Sequence, residues 1–212
     1  MKKFYIILLL SVGLSASASA QFEGLYQFTH SYFRSDPFLG QFSAFMQHLM
    51  KDQSITIKQT KLRTDSTLFS FSGIYENFNP FFFKPGKVQI MLRETPVQYS
   101  DSLPVADTIL VYQLTAFAEI SDKGKKDVQN EFEKIHRNYK RRFFDFNFSE
   151  FKDDNSKVIG AMHNYFVPMH GLAPVTVAWG IEDNTRQPVL MLTLRLKTTD
   201  NLPALPVPLY NP

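Results

Sequence analysis

Eight short runs of this chain alternate apolar with polar residues, and no other property narrows the fold as far. Ile55 and Ile57 alternate with Thr56 and Lys58; Phe69, Phe71 and Tyr75 with Ser70, Ser72 and Ile74 around Gly73; Val88, Ile90 and Leu92 with Gln89, Met91 and Arg93. A longer run from 108 to 120 follows, then Phe144, Phe146 and Phe148 between Asp145, Asn147 and Ser149, a stretch from 157 to 167, Val175 to Ile181, and Leu190 to Leu196. Period two sends successive side chains to opposite faces of a strand. One wet and one dry face is what antiparallel sheets permit and helix-sandwiched parallel sheets do not. Turn residues separate the runs: Asn79-Pro80, Lys84-Pro85-Gly86, Ser102-Leu103-Pro104 and Asp183-Asn184.

Two segments have a different period. Asp36-Pro37 reads as an N-cap with proline at the first helical position, and Phe38, Phe42, Phe45, Met46, Leu49 and Met50 then recur at three- and four-residue spacing. From Asp122 a second helix carries Val128, Phe132, Ile135, His136 and Tyr139 on one face and ends in Lys140-Arg141-Arg142, where positive charge suits the helix dipole. The expected class is α+β: a curved, mainly antiparallel sheet of about eight strands with two amphipathic helices packed on one face. The order helix, four strands, helix, four strands hints at a duplicated half, although no residue-level repeat accompanies it.

The first twenty residues read as a secretory signal peptide: Met1-Lys2-Lys3, an apolar run from Phe4 to Leu14, then small residues to Ala18-Ser19-Ala20. The apolar run is shorter than the roughly 20 residues a membrane-crossing helix needs, so no transmembrane anchor is expected after cleavage. The reading divides the chain into a signal peptide at 1–20, a single domain at 21–201 and a proline-rich tail at 202–212. With no cysteine, thioether lipid anchoring, disulfides and thiolate metal sites are excluded. The expected location is the periplasm or the extracellular space.

Charge narrows the partners. The whole chain has 23 Lys and Arg against 20 Asp and Glu, and the leader holds two of the lysines, leaving a mature charge near +1. A nucleic-acid binder needs a surplus of cations to displace counterions, so nucleic acid is not an expected partner. The 21 phenylalanines are the more telling excess. Each buried aromatic removes about 150–250 Å² from water, a gross gain of about 4–6 kcal/mol before chain entropy is subtracted. In a chain without disulfides, that burial is the expected source of stability.

Several residues are candidates for function. Phe69, Phe71, Phe144, Phe146, Phe148 and Trp179 could line a cavity for an apolar small molecule or lipid; equally, the two helices could fill that space and make them core. Phe81, Phe82 and Phe83 cannot all point inward from one turn, so at least one should be exposed and available to a protein partner. His163 and His170 lie seven positions apart in a glycine-bounded segment. Strand geometry puts them on opposite faces, Pro168 interrupts the ladder, and no third ligand stands at zinc spacing, so neither a metal nor any other cofactor is expected. No Gly-x-Ser-x-Gly, His-Glu-x-x-His, phosphate loop or dinucleotide turn occurs.

Gly24-Leu25-Tyr26 resembles the Gly-x-Trp that opens lipocalin barrels over three residues, with tyrosine in place of tryptophan, and implies no family membership. An outer-membrane barrel is disfavoured by the two helices and the proline-rich end. The functional expectation is an exported, non-catalytic binding or assembly module of the bacterial envelope that recognises an apolar ligand or protein partner. The alternative is an envelope hydrolase with a dispersed site.

Overall fold

The computed structural model describes residues 23–38, 42–62, 68–97, 107–143, 145–167 and 173–197. The expected signal peptide, the proline-rich tail, Phe144 and His170 lie outside them. Helix α1 is described over 23–32, followed by α2 (Phe42–Lys51), β1 (Ile55–Lys61), β2 (Ser70–Tyr75), β3 (Lys87–Val97) and β4 (Asp107–Phe117). The second half is α3 (Asp122–Tyr139), β5 (Asp145–Lys152), β6 (Val158–Phe166), β7 (Val175–Ile181) and β8 (Pro188–Lys197).

The eight strands among the described residues form one antiparallel sheet in the order β1-β2-β3-β4-β8-β7-β6-β5, with β1 and β5 at its two ends. The sheet is open, and the class is the α+β expected. Each half is a four-stranded meander preceded by helix, and the strand order reads the same outward from the β4–β8 join. This is the order a two-fold axis between β4 and β8 would generate.

Register explains the core. Phe71, Leu92, Tyr112, Leu194, Val175 and Tyr165 lie opposite one another in a single row crossing β2 to β6, and Ile90, Leu114, Leu192, Val177 and His163 make the next. The helices cover this face. Helix α3 lies over β7 and β8 and buries Val128, Phe132, Ile135 and Tyr139. Its start is capped by the Ser121 side chain, which accepts from the Gly124 N–H at 3.0 Å. Helix α2 presents Phe45 to Tyr112, ring centroids 5.4 Å apart, and buries Leu49. Burying side chains of this size is worth about 1.5–3 kcal/mol each relative to leaving them exposed.

Three features differ from the sequence reading. The additional helix α1 buries Leu25, Phe28, Thr29 and Tyr32 at helical spacing, and the Gly24-Leu25-Tyr26 triplet lies within it. Pro37 and Phe38 lie in a turn, in which Asp36 Oδ1 accepts from the Phe38 N–H at 2.8 Å, and α2 is described from Phe42. Burial is also two-sided in the central strands, where Ile109, Val111, Phe117, Thr176, Ala178 and Val189 on the face away from the helices are buried too. Long polar side chains shield part of that face; the Lys87 ammonium lies 3.9 Å from the centre of the Phe117 ring.

Helix α1 is joined to the end of α3 by rings and by close backbone approach. Phe28 meets Tyr139 edge-on at 5.2 Å, and the Tyr139 hydroxyl donates to Ser31 Oγ at 3.0 Å. Arg142, from the basic cluster after α3, donates to the Gln27 side chain. A Cβ at Gly24 would collide with the carbonyl oxygen of Arg142. Gly24→Ala should therefore destabilise by about 1–3 kcal/mol through overpacking, reversing the gain of up to about 1 kcal/mol that alanine brings to an unobstructed helix. Urea denaturation of the two proteins measures the sign.

Candidate functional site

The structure distributes the sequence-nominated aromatics across the sheet instead of gathering them. Phe71 on β2 and Trp179 on β7 are buried in the continuous helix–sheet core, with Phe69 half-buried against it. Phe146 and Phe148 stand on β5, six strands from Phe71. Neighbouring strands lie about 4.8 Å apart, so roughly 29 Å of sheet separates Phe71 from the β5 pair, whereas Trp179 on β7 stands two strands from β5.

The Phe81–Phe83 turn divides its rings as steric reasoning requires. Asn79 organises it: Oδ1 accepts from the Phe81 N–H at 3.0 Å, and Nδ2 donates to the Phe83 carbonyl at 2.9 Å. Phe81 is buried and stacks on Tyr32 of α1 at 6.2 Å, Phe83 is half-buried, and Phe82 is 81% exposed. The Lys134 ammonium sits over the Phe82 ring. The Phe82 N–H donates to Oε2 of Glu131 at 3.3 Å, whereas Oε1 of that buried carboxylate has no hydrogen-bond partner among the described residues. Burial raises the Glu131 pKa above the ordinary carboxylate value, with Lys134 and the Phe82 N–H opposing it.

A tighter constellation lies under the other flank of α3. The His136 and His163 rings stack face to face, centroids 3.9 Å apart and planes 8° from parallel. Phe132 stacks on His163 at 4.8 Å. His136 Nδ1 and the Tyr165 hydroxyl are 3.1 Å apart. Two nominated residues complete the group: Phe146 meets His136 edge-on at 4.8 Å, and Phe148 lies 4.9 Å from His163. His170 lies outside the described residues, and the imidazole the fold supplies to His163 is that of His136.

Local structure explains this meeting. In β6, Ala161, His163 and Tyr165 share the helix-facing side, and register places Phe148 opposite His163 and Phe146 opposite Tyr165. On α3, Phe132 and His136 are one turn apart and so lie on the same face. Because β5 is the last strand, the helix covers its aromatic side only partly: Phe146 is 39% and Phe148 50% exposed, while His163 is 5% exposed.

Chemically, this is a neutral imidazole stack. Burial pushes the His163 pKa down to about 4, assisted by repulsion from His136. Burial also lowers His136, with Glu133 raising it and Lys140 lowering it. His163 Nδ1 is buried and has no hydrogen-bond partner among the described residues. Among the described residues no group of three or more metal-ligating side chains occurs, and no helix is long and apolar enough to cross a membrane. Comparison of the chain with protein-family models, curated proteins and solved structures gives no match.

The imidazole stack has a pH consequence of definite sign. His163 has a folded pKa of about 4, below the ordinary 6.5, so the unfolded chain binds more protons between those values. Stability from this group is complete above pH 6.5 and declines as pH falls towards 4. Between pH 7.5 and pH 5 the expected loss is about 1–2 kcal/mol. Urea midpoints at the two pH values should separate less in His163→Leu than in the parent; equal separation would show that His163 is not the titrating group.

Proposed function

We propose that this chain is exported to the bacterial envelope or beyond and acts there as a non-catalytic binding or assembly module, engaging an apolar ligand or protein partner along β5. The observation that carries this reading is the exposure of Phe146 and Phe148 side by side on one face of an edge strand. Leaving each ring about half exposed forgoes on the order of 1 kcal/mol of burial, which a partner covering both would recover. Contiguous exposed apolar surface of this kind marks interaction sites more often than scattered single residues do. Phe82, alone beneath a lysine, offers less.

Export rests on the order charged, apolar and small over residues 1–20. The hydrolase alternative has less support: among the described residues His136 faces the Tyr165 hydroxyl and His163 Nδ1 has no hydrogen-bond partner, so neither shows there the carboxylate-oriented pairing of a general base.

Titration with an environment-sensitive apolar fluorophore tests the site. The double variant Phe146→Ser, Phe148→Ser should bind the reporter at least about tenfold more weakly while keeping its far-ultraviolet circular dichroism. Undiminished binding by a folded double variant would remove the reading. The export element has its own measurement: intact mass of protein isolated from its host should correspond to a chain beginning at Gln21, and a mature chain retaining Met1 would refute cleavage.

A further inference from the structure

We propose that two copies of this chain pair through their β5 strands, antiparallel about a two-fold axis at Asn147, extending the eight-stranded sheet across the dyad. The inference rests on the apolar-edge reading above and names the occupant of that edge.

The two edges of the sheet are built differently. The β1 edge carries the devices that discourage strand addition: its register with β2 breaks between Thr56 and Gln59, Ile57 has a φ of 49°, and Lys58 and Lys61 are exposed along it. β5 pairs with β6 without interruption from Asp145 to Phe151, and its first lysine is Lys152 at the far end. It has no proline and exposes three phenylalanines, Phe146, Phe148 and Phe151. Among the described residues one edge is guarded and no strand pairs with the other, on which the Phe146 N–H is held by its own Asp145 Oδ1 at 2.8 Å.

The open edge is complementary to itself. For side chains to stay on matching faces, opposed residue numbers must add to an even total, which leaves few registers. Centred on Asn147, Phe146 of each copy lies opposite Phe148 of the other, giving two aromatic cross-strand pairs, and Asp145 lies opposite Ser149. No like charges oppose. Centring on Phe148 instead would set Phe146 against Glu150, and centring on Phe146 would leave Phe148 opposite residue 144.

A hydrogen-bond chain on the sheet's other face points to the same centre. Arg195 Nη1 donates to Thr176 Oγ1 at 2.5 Å, Thr176 Oγ1 to Asn164 Oδ1 at 2.6 Å, and Asn164 Nδ2 to Asn147 Oδ1 at 3.0 Å. Every donor is directed towards β5, and the next one outward is the Asn147 side-chain amide. At the dyad two such amides meet, each with a donor and an acceptor. The resulting junction repeats the antiparallel join of β4 with β8 inside the chain.

The contact is small. In this register residues 145–149 of the two strands oppose one another, about 17 Å of edge, and a strand pair with two aromatic pairs falls below the roughly 1,000 Å² typical of stable interfaces, so pairing should depend on concentration. Sedimentation velocity over roughly a hundred-fold concentration range should show a reversible monomer–dimer equilibrium. Asn147→Lys and Asn147→Asp each place like charges at the axis and should weaken dimerisation at least about tenfold. Mixing the two variants in equal amounts should restore it, because opposite charges then meet. A wild-type chain monomeric throughout, or single variants that dimerise like the parent, would overturn the pairing. If the chain stays monomeric while Phe146→Ser, Phe148→Ser still loses the fluorophore, this inference fails and the apolar-edge reading stands; if the fluorophore is also undisturbed, both fail.

Discussion

The antiparallel join of β4 to β8 is the constraint on which the rest of the molecule depends. It runs from the Ile109–Lys197 pair to the Phe117–Val189 pair, and its helix-facing residues are the apolar Leu110, Tyr112, Leu114 and Ala116 against Leu196, Leu194, Leu192 and Leu190. These strands are far apart in sequence, so the chain must close a long loop to make the contact, and the loop entropy is offset only by a long, dry seam. Once it forms, two meanders become one surface. Neither half alone offers enough width to bury the faces of three helices.

Tyr112 shows how the helices depend on that seam. Its ring lies 4.6 Å from Phe33 at the end of α1 and 5.4 Å from Phe45 of α2, and its row neighbour across the join is Leu194 of β8. Helix α3 lies on the far side, over β7 and β8, and Tyr139 links it back to α1 through Phe28 and Ser31. The aromatic excess is therefore structural in its greater part. Phe146 and Phe148 escape burial where the helical cover stops, at β5, and Phe82 escapes it in a turn.

An open sheet has ends, and closure of a barrel would have removed them. Here the ends fall on strands of opposite character, a β1 bulged near its middle and bearing lysines, and a β5 regular as far as Phe151 and bearing phenylalanines. Beside β5 lies a pair of stacked imidazoles that remains compatible with the core only while uncharged. The edge where we place binding is thus also a place where acid would loosen the fold, since His163 is packed between Phe132 and His136.

Strand number, the α2 and α3 faces and the antiparallel character were legible because side-chain period is a local property: alternation at Phe146 and Phe148, or the spacing of Val128, Phe132 and Ile135, needs no knowledge of distant residues. Helix α1 had a signal too, in Leu25, Phe28 and Tyr32, but it is short and Gly24 weakens helix propensity. That glycine is explained by the Arg142 carbonyl, which is remote in sequence. The His136–His163 stack was not legible, because one residue belongs to a helical period and the other to a strand period. Neither period states where the helix crosses the sheet. Local spacing marks which residues favour burial. Tertiary structure alone decided which of them succeed, since strand order and helix placement are set by long-range packing and not by local spacing.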